Sequence, residues 1–236
     1  PPHTPSGLSP ANLATGVSIT PTHTWNIALN ADDYDVFFGT YSGVGPAAFS
    51  DNFNRADAPL GASWDTTFSV SAQPWSIVSN AIRPSVANAD IFVGATQIME
   101  PNQWVQFTIG AYTSPTDNLS AMAVLRNDGD SWIGYYAGPY NFAGQTSLIA
   151  KCADAACSSF EHLIQESSTT WAATDVVRAT IVDKTITLYR CTPGCSQLLT
   201  FTDNSASAIT SGKTALWGFS VTSAANLILD TWSQGN

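Results

Sequence analysis

The stretch Asp51-Asn-Phe-Asn-Arg-Ala-Asp-Ala-Pro-Leu-Gly-Ala-Ser-Trp64 is answered near the far end of the chain by Leu227-Ile-Leu-Asp-Thr-Trp232. In the first segment an extended run ending at Phe53 meets Asp57, Pro59 and Gly61. These favour a turn through side-chain capping, a fixed φ and a free φ respectively. Trp64 then begins new structure.

Beyond residue 64 the segments are short, alternating and separated by turn chemistry, as in an all-β sandwich. The pattern predicts strands at 75–78, 91–96, 104–110, 119–126, 132–137, 147–152, 162–166, 176–182, 185–190, 198–202, 214–221 and 226–232. The clearest pair is the hairpin Val176–Arg190, turning at Asp183-Lys184, and Asn127-Asp-Gly-Asp130 marks a second turn. Three Glu and three Lys stand against abundant Thr, Val, Ile and aromatic residues, so helix is expected to be almost absent.

The pattern D-x-F-x-R-A-D-x-P-L-G-x-x-W, closed by a strand ending L-D-x-W, resembles the laminin-G-like and concanavalin A-like lectin/glucanase jelly rolls. The resemblance covers roughly residues 49 to 234. It implies two antiparallel sheets with the first and last strands side by side. It also implies a calcium ion where those strands meet, with Asp51 and Asp230 at the matching places. Such ions need six to eight oxygens, and Asp230 has alternative roles, capping its strand or pairing with Arg55. One such sandwich serves lectins, glycosidases and structural modules alike.

Ahead of it, Gly7-Leu-Ser-Pro-Ala-Asn-Leu-Ala-Thr-Gly-Val-Ser-Ile-Thr-Pro-Thr-His-Thr-Trp25 and Asp33-Tyr-Asp-Val-Phe-Phe-Gly-Thr40 resemble the first half of a fibronectin type III-like domain. The resemblance makes Trp25 a core tryptophan and Tyr34, Val36 and Phe38 one inward face. The expected division is a partial fibronectin III-like segment over 1–40, a linker over 41–48 and the jelly roll over 49–236. A full domain of the first kind needs about seven strands. Residues 5–40 therefore pack on the same chain, are completed by a neighbouring molecule through strand addition, or form a loose arm.

A net charge of −10, with the eight basic residues scattered singly, argues against nucleic acid. Only 11% of residues are charged, against roughly a quarter on average, leaving a polar, Ser- and Thr-rich surface. No apolar run approaches the ~20 residues that span a bilayer, so membrane insertion is not expected. Cys152 and Cys157 bracket Ala-Asp-Ala-Ala, and Cys191 and Cys195 bracket Thr-Pro-Gly. Two local disulfides, and with them an extracellular or virion-surface setting, are the preferred reading. A four-cysteine zinc site and free thiols are the alternatives.

Catalysis finds little support. Glu161 and Glu166 are the close Glu pair, but five residues apart on a regular strand they point to opposite faces, and a glycosidase needs two carboxylates across one bond. A cysteine nucleophile would need His162 beside it. No enzyme is expected, and no cofactor beyond a structural calcium.

For binding, the useful residues are aromatic. Sugar rings present C–H faces that stack on flat side chains while their hydroxyls take polar partners. Arg126, Asn127, Asp128, Asp130, Trp132, Tyr135, Tyr136, Tyr140 and Asn141 have that composition within sixteen residues. Two functions follow. One is a structural subunit of an extracellular assembly, such as a virion decoration, fibre or surface filament, self-associating through residues 5–40. The other is a module recognising a surface glycan. The low charge and the unfinished N-terminal unit favour the first.

Overall fold

The computed structural model of the 236-residue chain describes residues 6–9, 24–26, 49–65, 75–87, 90–97, 99–112, 118–141, 146–220 and 223–236. Its contacts divide into two units, Pro1–Gly43 and Val44–Asn236. In the first, β1 (Ser6–Ser9) and β2 (Thr24–Asn26) pair antiparallel, with Ser6 opposite Asn26. The predicted inward face Tyr34, Val36 and Phe38 lies outside the described residues.

The second unit is a sandwich of two antiparallel sheets. The larger is built from β3 (Phe49–Asp51), β4 (Ala58–Pro59), β6 (Trp75–Val78), β7 (Ala81–Pro84), β9 (Gln103–Tyr112), β14 (Val176–Val182), β15 (Thr185–Arg190), β16 (Ser196–Thr202) and β18 (Leu227–Gly235). The smaller runs in the order β13 (Glu161–Glu166), β12 (Ser147–Cys152), β11 (Gly134–Asn141), β10 (Leu119–Asn127), β17 (Lys213–Ser220), β8 (Ile91–Ala95), β5 (Trp64–Asp65). One 3-10 turn at Ala224–Asn226 is the helical element among the described residues, and none there is long and apolar enough to cross a membrane.

The predicted strands at 75–78, 147–152, 176–182 and 185–190 are reproduced at their ends. Trp132 is not a strand residue. It sits in a turn that the Asn127 side chain holds closed by donating to Ser131 O and Ile133 O, at 2.9 and 2.7 Å. Strand β7, absent from the expectation, follows β6 through Ser79 and Asn80. Both have positive φ, 55° and 64°, as a two-residue hairpin turn of the I′ kind requires.

First and last strands do lie side by side. Asp51 pairs with Trp232 and Phe49 with Gln234. The Asp51 carboxylate is the hub of this closure: Oδ1 accepts from Phe53 N and Arg55 Nη1 at 2.9 and 2.6 Å, and Oδ2 from Arg55 Nη2 and Trp64 Nε1, both at 2.9 Å. Burial alone would raise its pKa, but the hydrogen bonds of Arg55, Trp64 and Phe53 outweigh that and hold it below the usual carboxylate range. Over it, Trp64 meets Phe49, Phe53 and Trp232 at centroid distances of 5.4, 5.8 and 5.3 Å.

Alternation along the strands fills the space between the sheets. From the smaller sheet, Ile91, Val93, Leu119, Ala121, Ala123, Leu125, Tyr135, Ala137, Ile149 and Leu216 point inward, against Phe107, Ile109, Val177, Ile181, Leu188 and Leu229 of the larger. A buried ionic network lies in this interior. Lys151, 2% exposed, donates to Asp203 Oδ2 at 3.0 Å and to the Ser205 and Ser207 hydroxyls, both at 3.2 Å; Tyr135 OH donates to the same Asp203 oxygen at 2.7 Å. These bonds tie the segment after β16 to the facing sheet.

Two bulges break simple alternation, and the first overturns the face assignment of the Glu pair. Between β12 and β13, Ala150 pairs with His162 and Ile149 with Ile164, so Leu163 is an extra residue. Glu161 and Glu166 consequently share one face, with Lys151 and Ser147, and do not oppose each other as their spacing predicted. In β10 the register with β17 slips between Val124 and Asn127, and Arg126 takes φ 54°. Its guanidinium turns into the sandwich and donates to the backbone oxygens of Pro101, Ile209 and Asp183 at 2.8, 2.7 and 2.5 Å.

Two outcomes follow from this fold. Asp51→Asn keeps the shape but weakens four charge-assisted bonds. It should lower stability by about 1.5–3 kcal/mol, read as a lower urea midpoint at unchanged slope; an unchanged midpoint would remove Asp51 from the centre of the closure. Glu166 accepts from Thr146 Oγ1, Ser168 N, Ser168 Oγ and Thr169 N. Burial raises its pKa, but side-chain hydrogen bonds from Ser147 and Ser168 and further bonds from Ser168 N and Thr169 outweigh it, bringing it from 4.5 to about 2. A depressed carboxylate stabilises the fold above its unfolded pKa and loses that contribution as pH falls through the folded one. Glu166→Gln should therefore cost stability at pH 7 and approach parity with the parent near pH 2, followed by thermal melts between pH 7 and 2; a constant difference across that range would contradict the assignment.

Candidate functional site

The same alternation that fills the interior leaves the outer face of the smaller sheet strongly apolar. On β11 the outward positions read Gly134, Tyr136, Gly138 and Tyr140; on β12 Leu148, Ala150 and Cys152; on β17 Ala215, Trp217 and Phe219; on β8 Phe92. Gly138 has no alternative there, because a Cβ on it would lie 2.5 Å from Ala121 O. The small residues leave slots between the rings, and the result is a cleft of about 450 Å³, within the usual range of roughly 300–1,000 Å³ for small-molecule sites.

Its floor is Tyr136 and Trp217, both buried, and its rim is Trp132, Tyr140, Phe160 and Phe219, all half-buried. Phe160 sits centrally, with ring centroids 5.3 Å from Tyr136, 6.1 Å from Tyr140 and 6.0 Å from Trp217. Trp132 packs edge-on against Phe92 at 5.7 Å, and Tyr136 OH donates to Trp132 O at 2.6 Å, so the turn carrying Trp132 is held to the floor. Burial is the largest cause of the raised pKa of Tyr136, with the charges of Asp128 and Asp90 adding to it.

The wall that carries Phe160 is made by the loop after β12. The Cys152–Cys157 disulfide closes this loop, and the exposed Asp154 accepts from Ala156 N and Ser158 N at 3.0 and 3.1 Å. Cys191 and Cys195 form the second bond, so both local pairings expected from spacing are present. Ala156 and Cys157 themselves line the cleft. On the opposite wall Asp90 Oδ1 accepts from Trp217 Nε1 at 3.1 Å.

The structure divides the nine residues grouped from sequence. Trp132, Tyr136 and Tyr140 line the cleft. Tyr135 faces the interior on Asp203, Arg126 reaches across the sandwich, and Asn127 is buried in its turn. Asp128 accepts from Ser131 N and Oγ, Asp130 is exposed on the same turn, and Asn141 ends β11. Asp90, Phe160, Trp217 and Phe219 escaped the sequence reading because three other elements bring them in. A signal existed for two of them: Trp217 and Phe219 occupy alternate positions of a strand expected over 214–221.

Asp51 and Asp230 do not fit a calcium ion. Both Asp51 oxygens already hold the Arg55 guanidinium and an N–H donor each, and a cation therefore already occupies the place. Asp230 is exposed on β18, and Arg55 pairs with Asp51 instead of with it. Among the described residues no group of three or more His, Cys, Asp or Glu could hold a metal. Glu161 and Glu166, on the inward face of β13, are off the cleft, whereas His162 is on the cleft side, edge-on to Tyr140 and Phe160 at 5.4 and 5.6 Å.

No protein-family model matches the chain, and no curated protein matches it in sequence. Solved structures do match in fold. The carbohydrate binding module CBM66 from Bacillus subtilis has a TM-score of 0.53 at 10% identity, over 72% of this chain and 92% of that one. The VIP36 exoplasmic/lumenal domain in its Ca2+/Man3GlcNAc-bound form gives 0.54 at 7%, over 79% and 89%. LamAcat from Zobellia galactanivorans gives 0.52 at 8%, over 80% and 96%. At such identities the likeness establishes the architecture, a concanavalin A-like β-sandwich, as the sequence resemblance implied.

Replacing Cys152 and Cys157 together by Ser should leave the sandwich folded and speed amide exchange across 153–160, measured by hydrogen–deuterium exchange. Unchanged protection there would mean that the Asp154 bonds alone hold the wall.

Proposed function

We propose that residues 49–236 form a non-catalytic carbohydrate-binding module that engages a glycan in the aromatic cleft on the outer face of the smaller sheet. One observation carries the reading: four half-buried rings, Trp132, Tyr140, Phe160 and Phe219, surround a floor of two more, where a free-standing sheet face has no structural need for them. Flat rings spaced about a slot suit the C–H faces of pyranoses. That CBM66 is a carbohydrate binding module and VIP36 has been seen with Man3GlcNAc supports the reading.

The LamAcat likeness raises catalysis as the rival. Glycoside hydrolysis needs a pair of carboxylates flanking the bond, and the described lining of the cleft offers one, Asp90. The structural-subunit reading rested on residues 5–40, most of which lie outside the described residues, and the cleft now favours recognition over it. Two disulfides support an extracellular setting. The boundaries at 1–40, 41–48 and 49–236 belong to the same proposal.

Isothermal titration against a panel of neutral and charged oligosaccharides tests it. At least one should bind saturably, and Phe160→Ala should weaken that binding by about fivefold or more, since an aromatic contact contributes about 1 kcal/mol beyond its buried area. Circular dichroism should be unchanged. Binding that survives both Phe160→Ala and Tyr140→Ala would move the site elsewhere, and hydrolysis of any bound oligosaccharide would overturn the non-catalytic reading.

A further inference from the structure

Two buried side-chain polar atoms among the described residues have no hydrogen-bond partner, Arg190 Nε and Ser120 Oγ. The Arg190 guanidinium is otherwise engaged, with Nη2 2.9 Å from Asp175 Oδ1. The Ser120 hydroxyl is wholly buried and unpaired. Such groups are rare, because a hydroxyl taken out of water with no replacement bond costs stability. On the same face of β10 the neighbouring positions are Met122 and Val124, both in the outer apolar cluster, so packing alone would be served by an apolar residue at 120.

Register places that hydroxyl at one end of the cleft. Ser120 lies opposite Tyr140 of β11 and Phe219 of β17, two of the rings of the rim. Directly opposed residues of antiparallel strands project from the same face, with Cβ atoms about 4.5–5.5 Å apart. The short serine therefore stands between two long aromatic side chains whose strands are two spacings, about 9.5 Å, apart. With contacts of about 3.5–4.0 Å on each side, one flat sugar ring fills that interval. The free protein holds the hydroxyl covered, so a ligand must part the rim to reach it, and rotamer changes of partly exposed side chains are rapid. In the floor, Tyr136 OH and Trp217 Nε1 already donate within the protein, to Trp132 O and Asp90 Oδ1.

We infer that Ser120 is a binding residue at the base of a subsite between Tyr140 and Phe219, where one pyranose ring of the glycan enters and a hydroxyl of that sugar pairs with Ser120 Oγ. The inference rests on the glycan reading above and adds to it a subsite and a polar contact. Binding gives the hydroxyl the partner that the free protein does not supply. A serine kept for this purpose lowers stability and raises affinity, whereas a serine kept for the fold would do neither.

The full chain and its Ser120→Ala variant are compared by thermal melting without sugar and by isothermal titration with cellotetraose, mannotetraose, xylotetraose and N-acetylglucosamine tetramer. Without sugar the variant should melt higher than the parent, by roughly 2 °C, because an unpaired buried hydroxyl has been removed. Any of the four tetramers that saturates the parent should bind the variant about fivefold more weakly, the loss of one neutral hydrogen bond. Monodeoxy forms of that tetramer locate the contact: the form without the hydroxyl that meets Ser120 should bind parent and variant alike. Equal affinity of parent and variant for every bound tetramer, or a variant that melts well below the parent, would overturn the inference while leaving the glycan reading standing. Saturation by none of the four would remove the glycan reading, and this inference with it.

Discussion

A β-strand has two faces, and a sheet in a two-layer sandwich needs only one of them for its core. Strands β8, β10, β11, β12 and β17 commit both to apolar side chains. The inward set makes the interior shared with the larger sheet, and the outward set makes a second, separate cluster around Phe92, Met122, Tyr136 and Trp217. That second cluster has no facing layer among the described residues of the sandwich. It is covered in part by the loop that ends at Phe160, stapled by Cys152–Cys157, and what that loop leaves uncovered is the cleft.

Closure of the sandwich is a separate problem, handled at one carboxylate. Asp51 joins the opening turn through Arg55, the smaller sheet through Trp64, and lies opposite Trp232 of the final strand. The residues that made the sequence resemble a jelly roll are therefore the ones that close it. The acidic residue of the opening motif, Asp51, is held by an internal ion pair with Arg55.

Much of the fold was legible because strand edges coincided with turn chemistry: Asp183-Lys184 and the alternating residues around it placed β14 and β15 to the residue. Strand β7 was not, because its turn is Ser79-Asn80, without the glycine that usually marks positive φ, and it ends in Pro84. The site was half legible. Trp132, Tyr136 and Tyr140 are near one another in sequence, but Asp90, Phe160, Trp217 and Phe219 arrive by pairings between strands far apart in the chain. The error of face has a local cause. A bulge adds a residue and reverses the parity of everything past it, which put Glu161 and Glu166 on one face, and a second bulge turned Arg126 inward.

Indole N–H resonances follow the central claim most directly, since the tryptophans are spread over both sheets. Trp132 and Trp217 belong to the cleft, whereas Trp75 and Trp232 lie in the interior. Titration of 15N-labelled protein with a bound oligosaccharide should shift the Trp132 and Trp217 signals and leave those of Trp75 and Trp232 in place. Shifts at Trp232 with Trp132 and Trp217 unmoved would place recognition away from the smaller sheet and contradict the account.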